Sequence, residues 1–235
     1  MHEMTDRRQM GEQYGSTARL ETRRSVWGPG PEGVSPVDVL RTLVVSSRAS
    51  RIIEIGCGTG AFARSVLEEA PGVDYVATDL SPAMVAATRA LGVTAEVAPA
   101  DDLPFDDGSF DGGVAAWMLY HVPDLDGTVR ELRRVLRDGG TLHVATNGRE
   151  HLADLLREAG GEPLVTQFMS ENAAEVLGRH FAHVSRRDVE TRATFADHEA
   201  ARGYLATFSP ELADALPTFE GPRTYAGRTA VLSAH

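Results

Sequence analysis

The sequence predicts an α/β fold built on a parallel sheet with a ligand crevice at its carboxyl edge, and three observations carry this. Residues 52–60, Ile-Ile-Glu-Ile-Gly-Cys-Gly-Thr-Gly, run from β-branched side chains into glycines, and a helical pattern starts at Ala61. A second strand pattern, Tyr75 to Thr78, ends on Asp79, 19 residues after Gly60. Two further strand patterns, Gly113 to Trp117 and Thr141 to Thr146, flank a helical stretch from Leu125 to Leu136. Strands that alternate with helices make βαβ units, and these bind ligands outside the carboxyl ends of their strands.

Each element has a local reason. Met4 to Val26 reads as helical, and Gly28-Pro29-Gly30-Pro31-Glu32-Gly33 then breaks regular structure. Residues 1–33 are therefore expected to form a helical cap over the crevice, and residues 34–235 a single domain. Tyr14, Arg19 and Trp27 are the cap side chains able to reach a ligand or, equally, to pack the cap onto the core. Pro36 to Ser46 forms the helix before the first sheet strand. Gly56, Gly58 and Gly60 allow a tight turn with positive φ and let a ligand approach the backbone. Asp79 lies at the distance where an acid reaches ribose hydroxyls, and Ser81-Pro82 caps and opens the next helix. Beyond Thr146 come a helix from Arg149 to Glu158, another from Ser170 to Gly178, and a long strand within Phe181 to Ala196. A helix from Asp197 to Phe208, an acidic connector and a strand from Thr224 to Ala234 close the chain.

The stretch Leu103-Pro104-Phe105-Asp106-Asp107-Gly108-Ser109-Phe110-Asp111, the glycine turn, Asp79 and Arg137-Asp138-Gly139-Gly140 together resemble the class I S-adenosylmethionine-dependent methyltransferases of the small-molecule type. The resemblance runs from about Arg51 to Thr146 and more loosely beyond. It implies a Rossmann-like, mostly parallel, seven-stranded sheet of order 3-2-1-4-5-7-6 with strand seven antiparallel and helices on both faces. It implies S-adenosylmethionine as cofactor and S-adenosylhomocysteine as product. The cofactor would meet Glu54, Gly56, Gly58, Gly60, Asp79, Leu80, Trp117 and Tyr14. Many relatives carry an aspartate for the adenine amino group where this chain has Pro99, so that contact is expected from Asp101 and the Ala100 backbone. Substrate contacts are expected from Trp27, Tyr120 and Asn147.

Methyl transfer needs a nucleophile aligned behind the methyl carbon, and a base where the nucleophile is protonated. Histidine is the side chain that titrates near neutrality. His121, just past the fourth strand, is the first candidate base; His151, four residues after Asn147, is the second; His143 is expected to be buried in mid-strand.

Composition narrows the remaining classes. Net charge is −11, all 23 basic residues are arginine, and no basic stripe is present, which disfavours nucleic acid as partner and excludes a catalytic lysine. No apolar run approaches the ~18 residues of a membrane span, and the polar start is unlike a signal peptide, so the expected location is the cytoplasm. The single cysteine, Cys57, has no companion for a disulfide or metal site and reads as a packing residue. A nicotinamide oxidoreductase is the alternative, since Gly56, Gly58 and Ala61 also fit G-x-G-x-x-A. A non-catalytic S-adenosylmethionine-binding protein is another. The sequence carries no signal for oligomeric state, or for methylation at oxygen, nitrogen or carbon. The expected substrate is a small molecule such as a natural-product intermediate.

Overall fold

A computed structural model describes residues 25–235. One eight-stranded sheet forms its centre, in the order β1-β7-β8-β6-β5-β2-β3-β4. The strands are β1 (Trp27–Pro29), β2 (Arg51–Ile55), β3 (Asp74–Asp79), β4 (Thr94–Val97), β5 (Phe110–Ala116), β6 (Leu136–Asn147), β7 (Val184–Phe195) and β8 (Arg223–Ala234). β6, β5, β2, β3 and β4 run parallel; β8 is antiparallel to β6 and β7. From β2 onward this is the expected order, with the last strand antiparallel.

The eighth strand is a correction. Trp27–Pro29, expected to end the cap, pairs antiparallel with Thr191 to Ala193 and extends the sheet. Most of the expected cap helix, including Tyr14 and Arg19, lies outside the described residues.

The helices are α1 (Pro36–Ser46), α2 (Ala61–Glu69), α3 (Pro82–Ala90), α4 (Leu125–Val135), α5 (Ala153–Glu158), α6 (Ala173–Gly178), α7 (His198–Ala206) and α8 (Pro210–Ala215). α1, α2 and α3 bury Leu40, Val66 and Val85 against one face of the sheet. α4 and α6 bury Leu132 and Leu177 against the other. α5, α7 and α8 form a third core with Phe195 and Tyr225 on the outer ends of β7 and β8. Each buried large aliphatic side chain contributes ~1.5–3 kcal/mol, and this two-faced burial explains why Ile52, Ile53 and Ile55 of β2 and Tyr75, Val76 and Ala77 of β3 are apolar on both faces.

Local chemistry sets the helix starts. Ser81 and Asp124 accept from the backbone N–H of Met84 and Gly127 and cap α3 and α4. α5 starts four residues later than expected. Before it, Gly148 N–H and Leu152 N–H donate to Arg228 and Ala226 carbonyls, so the chain runs alongside β8 before turning at Leu152, φ 59°.

Candidate active site

β2 and β3 end side by side, and the glycine turn opens from β2. Gly56, Gly58 and Gly60 all have positive φ, at 63°, 56° and 75°. Two of them serve the protein's own packing. A Cβ on Gly56 would lie 2.8 Å from Met118 Cβ, and one on Gly60 would lie 2.7 Å from the Thr88 side chain. The Thr88 hydroxyl also donates to the Gly58 carbonyl at 3.0 Å, so α3 holds the turn from below.

Asp79 faces this turn from the end of β3. Its Oδ2 accepts from Gly58 N–H at 2.9 Å and its Oδ1 from Ser81 N–H at 2.9 Å. Burial raises its carboxyl above the ordinary range, against the lowering effect of the Ser81, Gly58 and Leu80 backbone N–H groups. Asp79 therefore does more than await a ribose: it ties the turn to α3. An ionised carboxylate has about four acceptor positions, so capacity remains for a vicinal diol. Beside it, Leu80 and Val97 stay 44% and 51% exposed, an apolar shelf suited to a flat ring. Val97 was not singled out from the sequence; its place opposite Asp79 in the β3–β4 register is its only signal. The half-buried Ala100 and Asp101 sit in the turn just after β4. The acid, the turn and the shelf fit the ribose and adenine of S-adenosylmethionine.

Glu54 sits differently from the expectation. It is 2% exposed and accepts from Tyr75 O–H at 3.1 Å, within the sheet layer rather than on the turn's surface. The reason is strand alternation: Glu54 shares a face with Ile52, over α1 and α2. Cys57 is buried, and its thiol is pushed up to about 12, first by burial and then by the Glu54 charge. A thiol held neutral is a packing group.

The second half of the site gathers at the ends of β5 and β6 and against the middle of β8. Trp117 takes a left-handed backbone, φ 54°, which costs ~1–2 kcal/mol outside glycine. Its Nε1–H donates to Asn147 Oδ1 at 3.0 Å, and Thr229 Oγ1–H donates to the same oxygen at 3.1 Å. Asn147, expected to contact substrate, thus uses its carbonyl inside the protein.

Nearby, Trp27 stacks on His151 with ring centroids 4.5 Å apart. Gly227 permits this: a Cβ there would lie 2.4 Å from the Trp27 ring. His151 Nδ1 lies 3.1 Å from the Arg228 carbonyl, and burial pushes the imidazole down to about 4 despite that hydrogen bond. It is neutral at pH 7 and a weaker base than the sequence led one to expect.

His121 and Tyr120 lie in the 3₁₀ turn Leu119–His121 after β5, their rings 4.4 Å apart edge to face. His143 is buried, 2.9 Å from Ser233 Oγ, and pushed down to about 4 by burial. The structure therefore joins Trp27 with His151, and Trp117 with Asn147. His121 stands on the separate turn Leu119–His121.

A parallel sheet with a glycine turn and an acid at adjacent strand ends, joined by a hydrogen bond, is the architecture of a nucleoside-cofactor enzyme. Comparison with known proteins makes the class specific. The family model described as "Methyltransferase domain" matches residues 53–144. An uncharacterized methyltransferase of Mycobacterium tuberculosis is 30% identical over 177 residues, covering 70% of this chain and 69% of that protein. A ubiquinone/menaquinone biosynthesis C-methyltransferase of Geobacter sp. is 33% identical over 105 residues, but the match spans only 41% of this chain and 45% of that enzyme. Among solved structures, an S-adenosylmethionine-dependent methyltransferase from Mesorhizobium loti superposes with TM-score 0.51 at 22% identity, covering 85% of this chain and 100% of that one. The [4+2]-cyclase SpnF does so with TM-score 0.62 at 20% identity, covering 96% and 94%. These two likenesses show the shared fold. The chain belongs to the class I S-adenosylmethionine-dependent methyltransferases, and its cofactor is S-adenosylmethionine.

Proposed function

We propose that the protein transfers a methyl group by in-line displacement to a small aromatic acceptor, a natural-product or quinol-type intermediate. The observation that carries this is two half-buried indoles: Trp117, hydrogen-bonded to Asn147 at the end of β6, and Trp27, stacked on His151 against Gly227 of β8. Aromatic walls favour flat acceptors through stacking. Relatives named for ubiquinone or menaquinone biosynthesis support the same class.

When bound, S-adenosylmethionine supplies a methyl group on a sulfonium, which is a good leaving group. The protein's own part is alignment, water exclusion and proton removal. Asp79 and the Gly58 backbone orient the ribose, and Leu80 and Val97 receive the adenine. Alignment of this kind supplies on the order of 7–11 kcal/mol. His121 takes the proton of a hydroxyl or weakly acidic carbon. Trp27 fixes the start of the described chain on the sheet through β1 and its stack on His151. The enzyme works in the cytoplasm without nucleic acid. Among the described residues, no helix is long and apolar enough to cross a membrane.

The test is methyl transfer from S-[methyl-³H]adenosylmethionine to a panel of phenols, catechols, hydroquinones, aliphatic alcohols and amines. Label should enter an aromatic acceptor. Label entering only the aliphatic compounds would overturn the aromatic reading.

A further inference from the structure

The geometry points to Thr229 as a positioning residue: through Asn147 it locks the strained Trp117 in the conformation that holds its indole beside β6 and Met118 against the glycine turn that takes the cofactor. This rests on the methyltransferase reading of the site.

Three observations converge. Trp117 is one of only three non-glycine residues with positive φ among the described residues, and it is the one at the end of a central parallel strand. Strain of this sort persists only where the surroundings over-determine it. Here they do. The Trp117 N–H donates to the Ala145 carbonyl at 2.8 Å, continuing the β5–β6 ladder past the end of β5. The indole N–H then donates sideways to Asn147, at the end of β6.

Asn147 is itself fixed from the far side. It pairs with Thr229 in the β6–β8 register, and the Thr229 hydroxyl donates to the oxygen that already receives the indole. Thr229 is 3% exposed, so no solvent competes for that bond. The hydroxyl sets which way the Asn147 amide faces: with Oδ1 held between two donors, the indole has one acceptor in one place.

The consequence reaches the cofactor side. The left-handed turn at Trp117 sends the next residue, Met118, against Gly56, where even a Cβ would be 2.8 Å away. One strained residue thus places the indole beside β6 and Met118 over the glycine turn. Thr229, on the last strand, controls both through one hydrogen bond to Asn147.

The chain has two tryptophans, so Trp27→Phe leaves Trp117 as the sole indole reporter. In that background the near-ultraviolet circular dichroism of Trp117 should be sharp. Thr229→Val, equal in shape but lacking the hydroxyl, should lose most of that signal. In the otherwise wild-type protein, Thr229→Val should raise the dissociation constant for S-adenosylhomocysteine by about two- to tenfold, the scale of one hydrogen bond. Thr229→Ser should restore both. Should Thr229→Val fail to fold, Asn147→Asp, which keeps an acceptor oxygen, should retain the signal that Asn147→Leu loses. An unchanged Trp117 signal and unchanged affinity in a folded Thr229→Val protein would overturn the assignment. A lowered melting temperature with neither readout moved would overturn it too, because that is a purely structural role. If the wild-type protein bound no S-adenosylhomocysteine, the methyltransferase reading would fail separately, and the circular dichroism arm would still decide the positioning role.

Discussion

Replacing Asp79 by alanine removes two interactions with different consequences. In the free protein it strips acceptors from Gly58 N–H and Ser81 N–H, each at 2.9 Å. Hydrogen bonds to a charged group are worth ~1.5–3 kcal/mol each, but both N–H groups are near solvent and regain water, so the net cost is about 1.5–3 kcal/mol in all. For a chain of this size that lowers Tm by roughly 3–12 °C. In the complex the diol loses its acceptor, for a further ~1.5–3 kcal/mol, or about 10- to 150-fold in affinity. Asp79→Asn separates the two effects: one oxygen still accepts, so stability falls less while the charge-assisted grip on the diol is lost. The pH dependence has a definite sign. The folded carboxyl titrates above its unfolded value. Its contribution is therefore fully present below the unfolded value of ~3.9 and declines as pH rises through the folded one; Asp79→Asn should remove that decline. Denaturation curves and titration calorimetry with S-adenosylhomocysteine read both effects. A variant with wild-type Tm would refute the structural tie, and one with wild-type affinity would refute the ribose assignment.

Five other substitutions have definite outcomes. Gly58→Val should abolish cofactor binding in a folded protein, since φ 56° disfavours a β-branched residue and the side chain would meet the ligand; calorimetry and circular dichroism check this. Gly60→Ala should instead show mainly in Tm, because its Cβ meets Thr88 of the same chain at 2.7 Å. His143, buried and pushed down to about 4, contributes stability that is present above ~6.5 and lost as pH falls toward 4, by about 2–4 kcal/mol; His143→Gln should flatten the acid limb of the stability profile. His121→Ala should slow turnover by about 10²–10⁴ with cofactor affinity nearly intact, whereas His151→Ala should alter the acceptor KM through the Trp27 stack.

Much of the fold was legible because β2, β3 and the glycine turn are specified locally. Apolar runs ending in glycine or aspartate have few alternatives in a sheet covered on both faces. β1 was missed because a strand of three residues with two prolines nearby has no period to detect; only its pairing with β7 makes it a strand. The late start of α5 was missed for a similar reason, as the N–H groups of Gly148 and Leu152 donate to carbonyls of β8, which lies far off in sequence. The places of Asp79 at the end of β3 and of Gly58 in the turn after β2 were readable from spacing. The burial of Glu54 behind Tyr75 and the use of Asn147 by Trp117 and Thr229 depend on side-chain direction, which a motif does not encode. Gly56 and Gly60 were correctly placed in the turn, but the atoms that forbid a side chain there belong to Met118 and Thr88.

The central claim is that the turn at Gly56–Gly60 and Asp79 hold S-adenosylmethionine. Titration calorimetry of the intact protein with S-adenosylhomocysteine and, separately, with NADH tests it most directly. The account predicts one site per chain for S-adenosylhomocysteine in the micromolar range, weakened in Asp79→Ala, and no heat from NADH. Binding of NADH with none of S-adenosylhomocysteine would contradict it.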